Sequence, residues 1–391
     1  MDGWYTPQRE VEGNPEAALR CLLERLLTDS IVDALLVPLR TPDERGVVPA
    51  LVRDPALLER AVPWAPVMPV NAGSVLGEIT ATGAPGRVGA VLRNCELRTA
   101  VELSKVQQVQ LDDVLLIGVD CLGTYRVDDY LRCTEEGSDL TRQALAAARE
   151  GRVEPAEGYL FRPACTMCER PVPGAPPIPG AGESYAPHIA VGLLGVRPDE
   201  PADGRLWLSV RDKELAERLG LEPAEAPEAR VRAVETLVAA RIAERERRLT
   251  QIGARVHDPR AFESEFSTCI HCQNCMVACP ICYCQECIFR TELFDHRSPR
   301  YWEWAERKGA VRLPSDTLLF HLTRMLHMAH ACVGCGMCSD ACPVGIPVAD
   351  LFRAVGQRVQ QSFGYLPGRD PDEPPIIAEF REDELGGLGM G

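Results

Sequence analysis

The sequence predicts an α/β domain, then a helical connector, then a cysteine-rich module of α+β or all-helical build. Three observations predict it. Short apolar runs alternate with helical stretches through the first half. One long charged helical stretch follows, over residues 228–255. Two matching cysteine runs then fall between Cys269 and Cys342. The spacing places the domains at about 1–210, 211–261 and 262–350, with 351–391 as a C-terminal tail.

Residues 15–30 carry Ala18, Leu19, Leu22 and Leu26 at helical spacing. Residues 31–39 then read as a buried strand. The runs 88–92 and 114–119 read as parallel-type strands, because both are apolar without alternation. The helical pattern of residues 95–108 lies between them, so the three form a βαβ unit. Cys95 and Cys121 follow its two strands, at the edge where open α/β sheets gather ligands. Residues 163–187 are rich in proline and glycine, read as a loop, and hold Cys165 and Cys168. Residues 189–196 and 206–210 are further strand candidates. Residues from 364 onward are polar and read as an extended tail.

Charge and composition exclude several classes. The net charge of -15 opposes nucleic-acid binding, since a phosphate backbone would repel the chain. No apolar run approaches the roughly 20 residues that span a bilayer. The first residues show no charged segment leading into an apolar core, so a cytoplasmic, soluble protein is expected. The 17 cysteines then need a reason other than disulfides, and in a reducing compartment that reason is metal or cluster ligation.

The two runs supply it. Cys269, Cys272, Cys275 and Cys279-Pro280 match C-x-x-C-x-x-C-x-x-x-C-P, and Cys332, Cys335, Cys338 and Cys342-Pro343 match it again. In this pattern three close thiolates wrap one 4Fe-4S cube, and the fourth cysteine serves the other cube. The expected ligand sets are therefore Cys269, Cys272, Cys275 and Cys342, and Cys332, Cys335, Cys338 and Cys279. A pair of zinc knuckles is the competing reading, and two full runs each closed by Cys-Pro weigh against it. Between the runs, Ser315 or Asp316 can cap a helix with Leu318, Leu319, Leu322, Met325, Leu326 and Ala329 on one face. His321, His327 and His330 on that stretch read as surface or packing residues. Cys282, Cys284 and Cys287 remain over, either for a fourth cluster with one distant cysteine or as buried thiols.

The first domain resembles a known family. Gly89-Ala-Val-Leu-Arg-Asn-Cys95-Glu, Leu116-Ile-Gly-Val-Asp-Cys121 and Cys165-Thr-Met-Cys168 before an apolar strand occur in the order seen in the beta subunits of deazaflavin-reducing hydrogenase and formate dehydrogenase. That likeness runs from about residue 15 to 200, and the appended ferredoxin module resembles the formate dehydrogenase branch. It implies a domain holding FAD and one 4Fe-4S cluster, with Cys95, Cys121, Cys165 and Cys168 as ligands and Cys133 as a possible substitute. Cys21 reads as core. The turn Pro69-Val-Asn71-Ala-Gly-Ser74 resembles the flavin-contacting turn, where small residues let amides approach a phosphate. Asn71, Arg93 and Lys105 are the expected FAD contacts. The chain departs from the family at Ala17-Ala18, where a Gly-Gly pair is usual, and at Asn94, where proline is common.

The resemblance implies an oxidoreductase subunit that moves electrons. FAD would exchange a hydride with a soluble carrier, a deazaflavin or a nicotinamide. Clusters would relay single electrons to or from a catalytic partner, a formate dehydrogenase alpha-like or heterodisulfide-reductase-like subunit. A flavin-free wiring module and a stand-alone ferredoxin-dependent flavin reductase are the other readings.

Overall fold

The computed structural model describes residues 1–11, 13–174, 185–196 and 204–378. They divide into two compact units. The first holds residues 1–247, 333–336 and the chain from 366; the second holds 248–332 and 337–365.

The first unit is built on one eight-stranded mixed sheet. Its strands are β1 (Asp2–Tyr5), β2 (Ala34–Arg40), β3 (Val47–Val52), β4 (Val88–Arg93), β5 (Val114–Val119), β6 (Ile189–Gly192), β7 (Leu206–Val210) and β8 (Glu222–Pro223). The spatial order is β3-β2-β4-β5-β6-β7-β1-β8. Strands β2, β4, β5 and β6 are parallel; β3 at one edge and β7, β1 and β8 at the other pair antiparallel. Every residue of β4 and β5 is buried, which explains their unbroken apolar sequence. Each such Val, Leu or Ile contributes about 1.5–3 kcal/mol on full burial.

Helix α1 (Pro15–Thr28) starts where Asn14 accepts from the amides of Glu16 and Ala17. Its Leu19, Leu22, Leu23 and Leu26 are buried, with Cys21 beside them as core. Next come α2 (Ala72–Thr80), α3 (Asn94–Lys105), α4 (Val127–Glu135), α5 (Leu140–Arg149), the single turn α6 (Pro163–Thr166) and α7 (Lys213–Arg218). The β4-α3-β5 unit is the expected βαβ, with Val88 opposite Val114 and Arg93 opposite Val119.

The charged stretch forms α8 (Glu228–His257), which contributes residues to both units. The second unit continues with α9 (Pro259–Glu265), α10 (Asn274–Val277), α11 (Ser298–Lys308), α12 (Thr317–Met328), α13 (Met337–Asp340) and α14 (Val348–Ser362). Its buried residues include Phe262, Phe266, Phe320, Met325, Ile346, Leu351 and Phe352.

Two expectations are corrected. The tail expected from residue 351 is helical to Ser362, because Leu351, Phe352 and Ala354 give α14 an apolar face to bury. Beyond it, Arg98 Nε donates to the Pro367 carbonyl at 2.8 Å, and the Gly368 amide donates to the Glu102 carboxylate at 2.6 Å. That stretch is therefore pinned to α3. The remainder of the expected tail, 379–391, and residues 175–184 of the proline-rich loop lie outside the described residues. The second correction concerns α12. Its leucine face is turned outward, with Leu319, Leu322 and Leu326 exposed, while Phe320, His321, Arg324, Met325 and Met328 are buried.

Candidate cysteine centres

Chain topology gathers the first cysteine group. Cys95 is the second residue of α3, which follows β4 at once, and Cys121 lies two residues past the end of β5. Cys165 sits on α6 and Cys168 just after it. Three contacts seat this loop on the strand ends. The Cys121 amide donates to the Pro171 carbonyl at 2.9 Å, and Asn94 Nδ2 donates to the Arg170 carbonyl at 2.9 Å. Pro173 lies over Gly118, where a Cβ would stand 2.7 Å from its ring.

The four thiols act on one another. Cys95 feels Cys121 and Cys168, and Cys121 feels Cys165 and Cys168. Burial, then neighbouring charges including these thiols, pushes Cys95 well up and Cys121 to about 11. Cys165 goes the other way. Burial alone would raise it, but the Arg162 guanidinium, the Thr124 hydroxyl at 3.2 Å and Arg241 together lower it. Arg93 and Arg241 also favour a Cys121 thiolate. The group is thus a set of thiols, Cys165 buried and the other three half-buried, with Arg93, Arg162 and Arg241 around it. Four thiolates packed this way would repel, and a bound cation would relieve that repulsion. Cys335 also acts on Cys95, and residues 333–336 belong to the first unit. Cys133 lies apart, buried among Val62, Tyr125, Tyr130 and Leu140.

The expected flavin contacts are placed as follows. Asn71 is 1% exposed; its Oδ1 accepts from the Gly73 amide, while its Nδ2 has no acceptor. The amides of Ala72 and Ser74 are also used, by Glu96 Oε1 at 3.1 Å and the Asn71 carbonyl at 3.1 Å. Ala72, Gly73 and Ser74 therefore offer no open amide to a phosphate. Arg93 donates to the Ala65 and Val67 carbonyls at 2.7 and 3.0 Å. Lys105 is buried against Glu102 at 2.8 Å and Glu373 at 3.5 Å, rather than solvated.

The ferredoxin runs carry their geometry in the backbone. In the first run, His271 and Gln273 adopt left-handed φ values of 56° and 62°. The matching positions of the second run are glycines, Gly334 at 74° and Gly336 at 81°. The two loops therefore turn alike, although only one uses the residue suited to the turn. The His271 amide points at Cys269 Sγ (3.3 Å), and the Ile346 amide points at Cys342 Sγ (3.3 Å).

The crossed ligand set comes together in the second unit. Cys269 feels Cys342 and Cys272, while Cys275 feels Cys269, Cys342 and Cys272. Burial, then these neighbours, raises Cys269 and takes Cys275 to about 11. Of the other set, Cys332, Cys338 and Cys279 lie in the second unit and Cys335 in the first. The leftover Cys282 is pushed to about 11 by burial and then by Cys279, Cys284 and Cys287, with Cys284 exposed. Among the described residues no three His, Cys, Asp or Glu side chains converge as one bare metal ion requires. A 4Fe-4S cube holds its thiolates at separate corners, wider apart than four sulfurs around one zinc.

Sequence reasoning missed the cations and donors around these thiols. Arg162 and Thr124 stand three residues from Cys165 and Cys121 but in no metal-binding pattern, and Arg241 stands far along the chain. His321 and Arg324 stand between the two ferredoxin runs, and their three-residue spacing on a helix was the available signal. His321 Nε2 is 3.3 Å from Cys269 Sγ, with its ring stacked on Phe266 at 4.0 Å. Burial, then Arg324, takes its pKa down to about 3, so the ring is neutral. Arg324 donates to Cys275 Sγ at 3.0 Å and to the Cys275 carbonyl at 2.9 Å.

A 4Fe-4S dicluster domain family matches residues 265–346. The chain is 23% identical over 382 residues to the F420-dependent formate dehydrogenase subunit beta of Methanocaldococcus jannaschii, covering 92% of this chain and 93% of that one. It is 26% identical over 392 residues to the F420-dependent formate dehydrogenase 1 subunit beta of Methanococcus maripaludis, covering 94% of each. A solved structure, the F420-reducing nickel–iron hydrogenase complex from Methanosarcina barkeri, aligns at a TM-score of 0.43 and 16% identity, over 64% of this chain and 94% of that one. No helix among the described residues is long and apolar enough to cross a membrane. Over nearly its whole length the chain is similar to beta subunits of F420-dependent formate dehydrogenase, and its residues 265–346 match a 4Fe-4S dicluster domain.

Proposed function

We propose that the protein is the electron-transfer subunit of a deazaflavin-dependent formate dehydrogenase. It would bind FAD and three 4Fe-4S clusters and work beside a catalytic formate dehydrogenase subunit. The observation that carries this reading is the convergence of Cys95, Cys121, Cys165 and Cys168 at the ends of β4 and β5. The likeness over 92–94% of the chain to subunits named for F420 and formate supports the carrier and the partner.

The chain's own residues support the cluster sites by charge and placement. Arg93, Arg162 and Arg241 favour thiolates in the first group. The loop contacts at Pro171 and Arg170 hold Cys165 and Cys168 over the strand ends. Asn71 Nδ2, a buried donor without an acceptor, is the side chain best suited to a flavin. Arg93 and Lys105 hold protein partners and serve that site through the fold. When bound, flavin and clusters together supply conversion between a two-electron hydride and single electrons. Cys335 beside Cys95 gives the first cluster site a neighbour in the second ferredoxin run.

Anoxic purification with native partners tests the reading. About twelve iron and twelve sulfide per chain are expected, with a flavin released on protein precipitation. A count near eight would remove the first-unit cluster. In Cys168→Ala, iron should fall by about four while both ferredoxin clusters remain. Loss of all iron would mean that Cys168 serves folding and not ligation. A holoprotein with full iron but no flavin would leave a wiring module in its place.

A further inference from the structure

Helix α12 buries two polar side chains one turn apart, His321 and Arg324, and both reach thiols of the same ligand set. Arg324 is 3% exposed, and among the described residues no carboxylate pairs with it. Its guanidinium lies against the rings of Phe352 (5.1 Å) and Phe320 (5.6 Å), and its Nε has no acceptor. A buried cation without a carboxylate is costly unless another anion balances it. The sulfurs it faces, anionic once they ligate a cluster, are Cys275 first, then Cys279, Cys338 and Cys282. His321 is 1% exposed, and with Nδ1 unpartnered its contact to sulfur is through Nε2.

We propose that His321 and Arg324 are tuning residues that raise the reduction potential of the cluster held by Cys269, Cys272, Cys275 and Cys342. The inference rests on the cluster reading of the second unit. A cluster that gains an electron gains negative charge on its sulfurs. Hydrogen bonds to those sulfurs and a nearby cation stabilise the reduced form more than the oxidised form. Arg324 supplies both effects, and His321 supplies a hydrogen bond in its Nε2–H tautomer. Burial strengthens each, because little water screens them. Arg324 also faces Cys279 and Cys338, so the second ferredoxin cluster would feel its charge as well.

The test is a redox titration of the anoxic holoprotein followed by electron paramagnetic resonance, with iron and sulfide measured on each sample. At the wild-type midpoint, Arg324→Met should lower the reduced-to-oxidised ratio of one cluster by at least about tenfold, which is about 59 mV for a one-electron couple. His321→Phe keeps the ring stack on Phe266 and removes the N–H; its shift should be smaller and in the same direction. Arg324→Lys keeps the charge and should fall between Arg324→Met and wild type. Unmoved midpoints in Arg324→Met and His321→Phe at full iron content would overturn the proposal, as would an upward shift. If Arg324→Met loses iron, Arg324→Lys and His321→Phe decide by the same criteria. Wild-type protein lacking the paired ferredoxin signals would instead defeat the cluster reading itself.

Discussion

Asp120 shows how one residue can hold a cysteine-bearing strand end in place. It directly precedes Cys121. Its carboxylate takes two hydrogen bonds from Arg230, at 2.6 and 3.0 Å, and two more from the amides of Leu193 and Leu194, both at 2.8 Å. Asp120 is 2% exposed and Arg230 9%. Removing the carboxylate would leave a buried guanidinium and two buried amides unpaired. Breaking a buried pair from one side costs about 3–5 kcal/mol. Asp120→Ala should therefore destabilise the first unit by about that amount, read as a lower denaturant midpoint of the sheet's unfolding. A loss below about 1 kcal/mol would place the pair with weak surface bridges and sink the argument. The cysteines were legible in the sequence because thiol chemistry needs that residue type at that spacing. The pairing of Asp120 with Arg230 was not, since 110 positions separate them and nothing in the motif around Asp120 points to Arg230.

At the scale of elements, the loop that carries Cys165 and Cys168 is seated by the strand beneath it. Gly118 in β5 leaves room for Pro173, and a Cβ there would also stand 2.9 Å from Leu97 Cδ1. Gly118→Val should push the loop off the strand ends at a cost of about 1–3 kcal/mol, the usual range for overpacking. Iron should fall by about four per chain, with both ferredoxin clusters kept. Unchanged iron would show that the loop finds its seat without this contact. The sequence made the strands of this region plain, because β4 and β5 are apolar at nearly every position and β5 coincides with its expected bounds. It hid the antiparallel edges β1, β3 and β8, which are short or half exposed and lack that run. It misled at α12 for a physical reason. A leucine stripe normally marks the buried face. Beside thiols that need donors, His321 and Arg324 turn inward instead, and Leu319, Leu322 and Leu326 face outward.

At the scale of the whole molecule, the two units differ in what can hold them together. The first has a large continuous core, with Leu19, Leu35, Leu115, Ile117, Ile189 and Leu208 all packed around one sheet. The second has helices of 4 residues at α10 and α13, which carry Cys275 and Cys338, and no strand among its described residues. Isolated helices that short are not stable in water, so something else must fix them. Thiol ligation of clusters can, because binding free energy that exists only in the folded state becomes folding free energy. Removing iron with a chelator under anoxic reducing conditions should therefore act unequally. Amide hydrogen exchange should rise sharply through residues 268–296 and 330–346. Strands β2, β4 and β5 should keep their protection, since their core does not depend on metal. Cys269 to Cys279 would then lose the turns at His271 and Gln273 first, because left-handed φ at these residues is strained without ligation to hold it. Equal loss of protection in both units would show that the sheet, too, leans on its cluster. No change in either would show that the cysteine loops fold by their own contacts, and that the clusters enter a site already made.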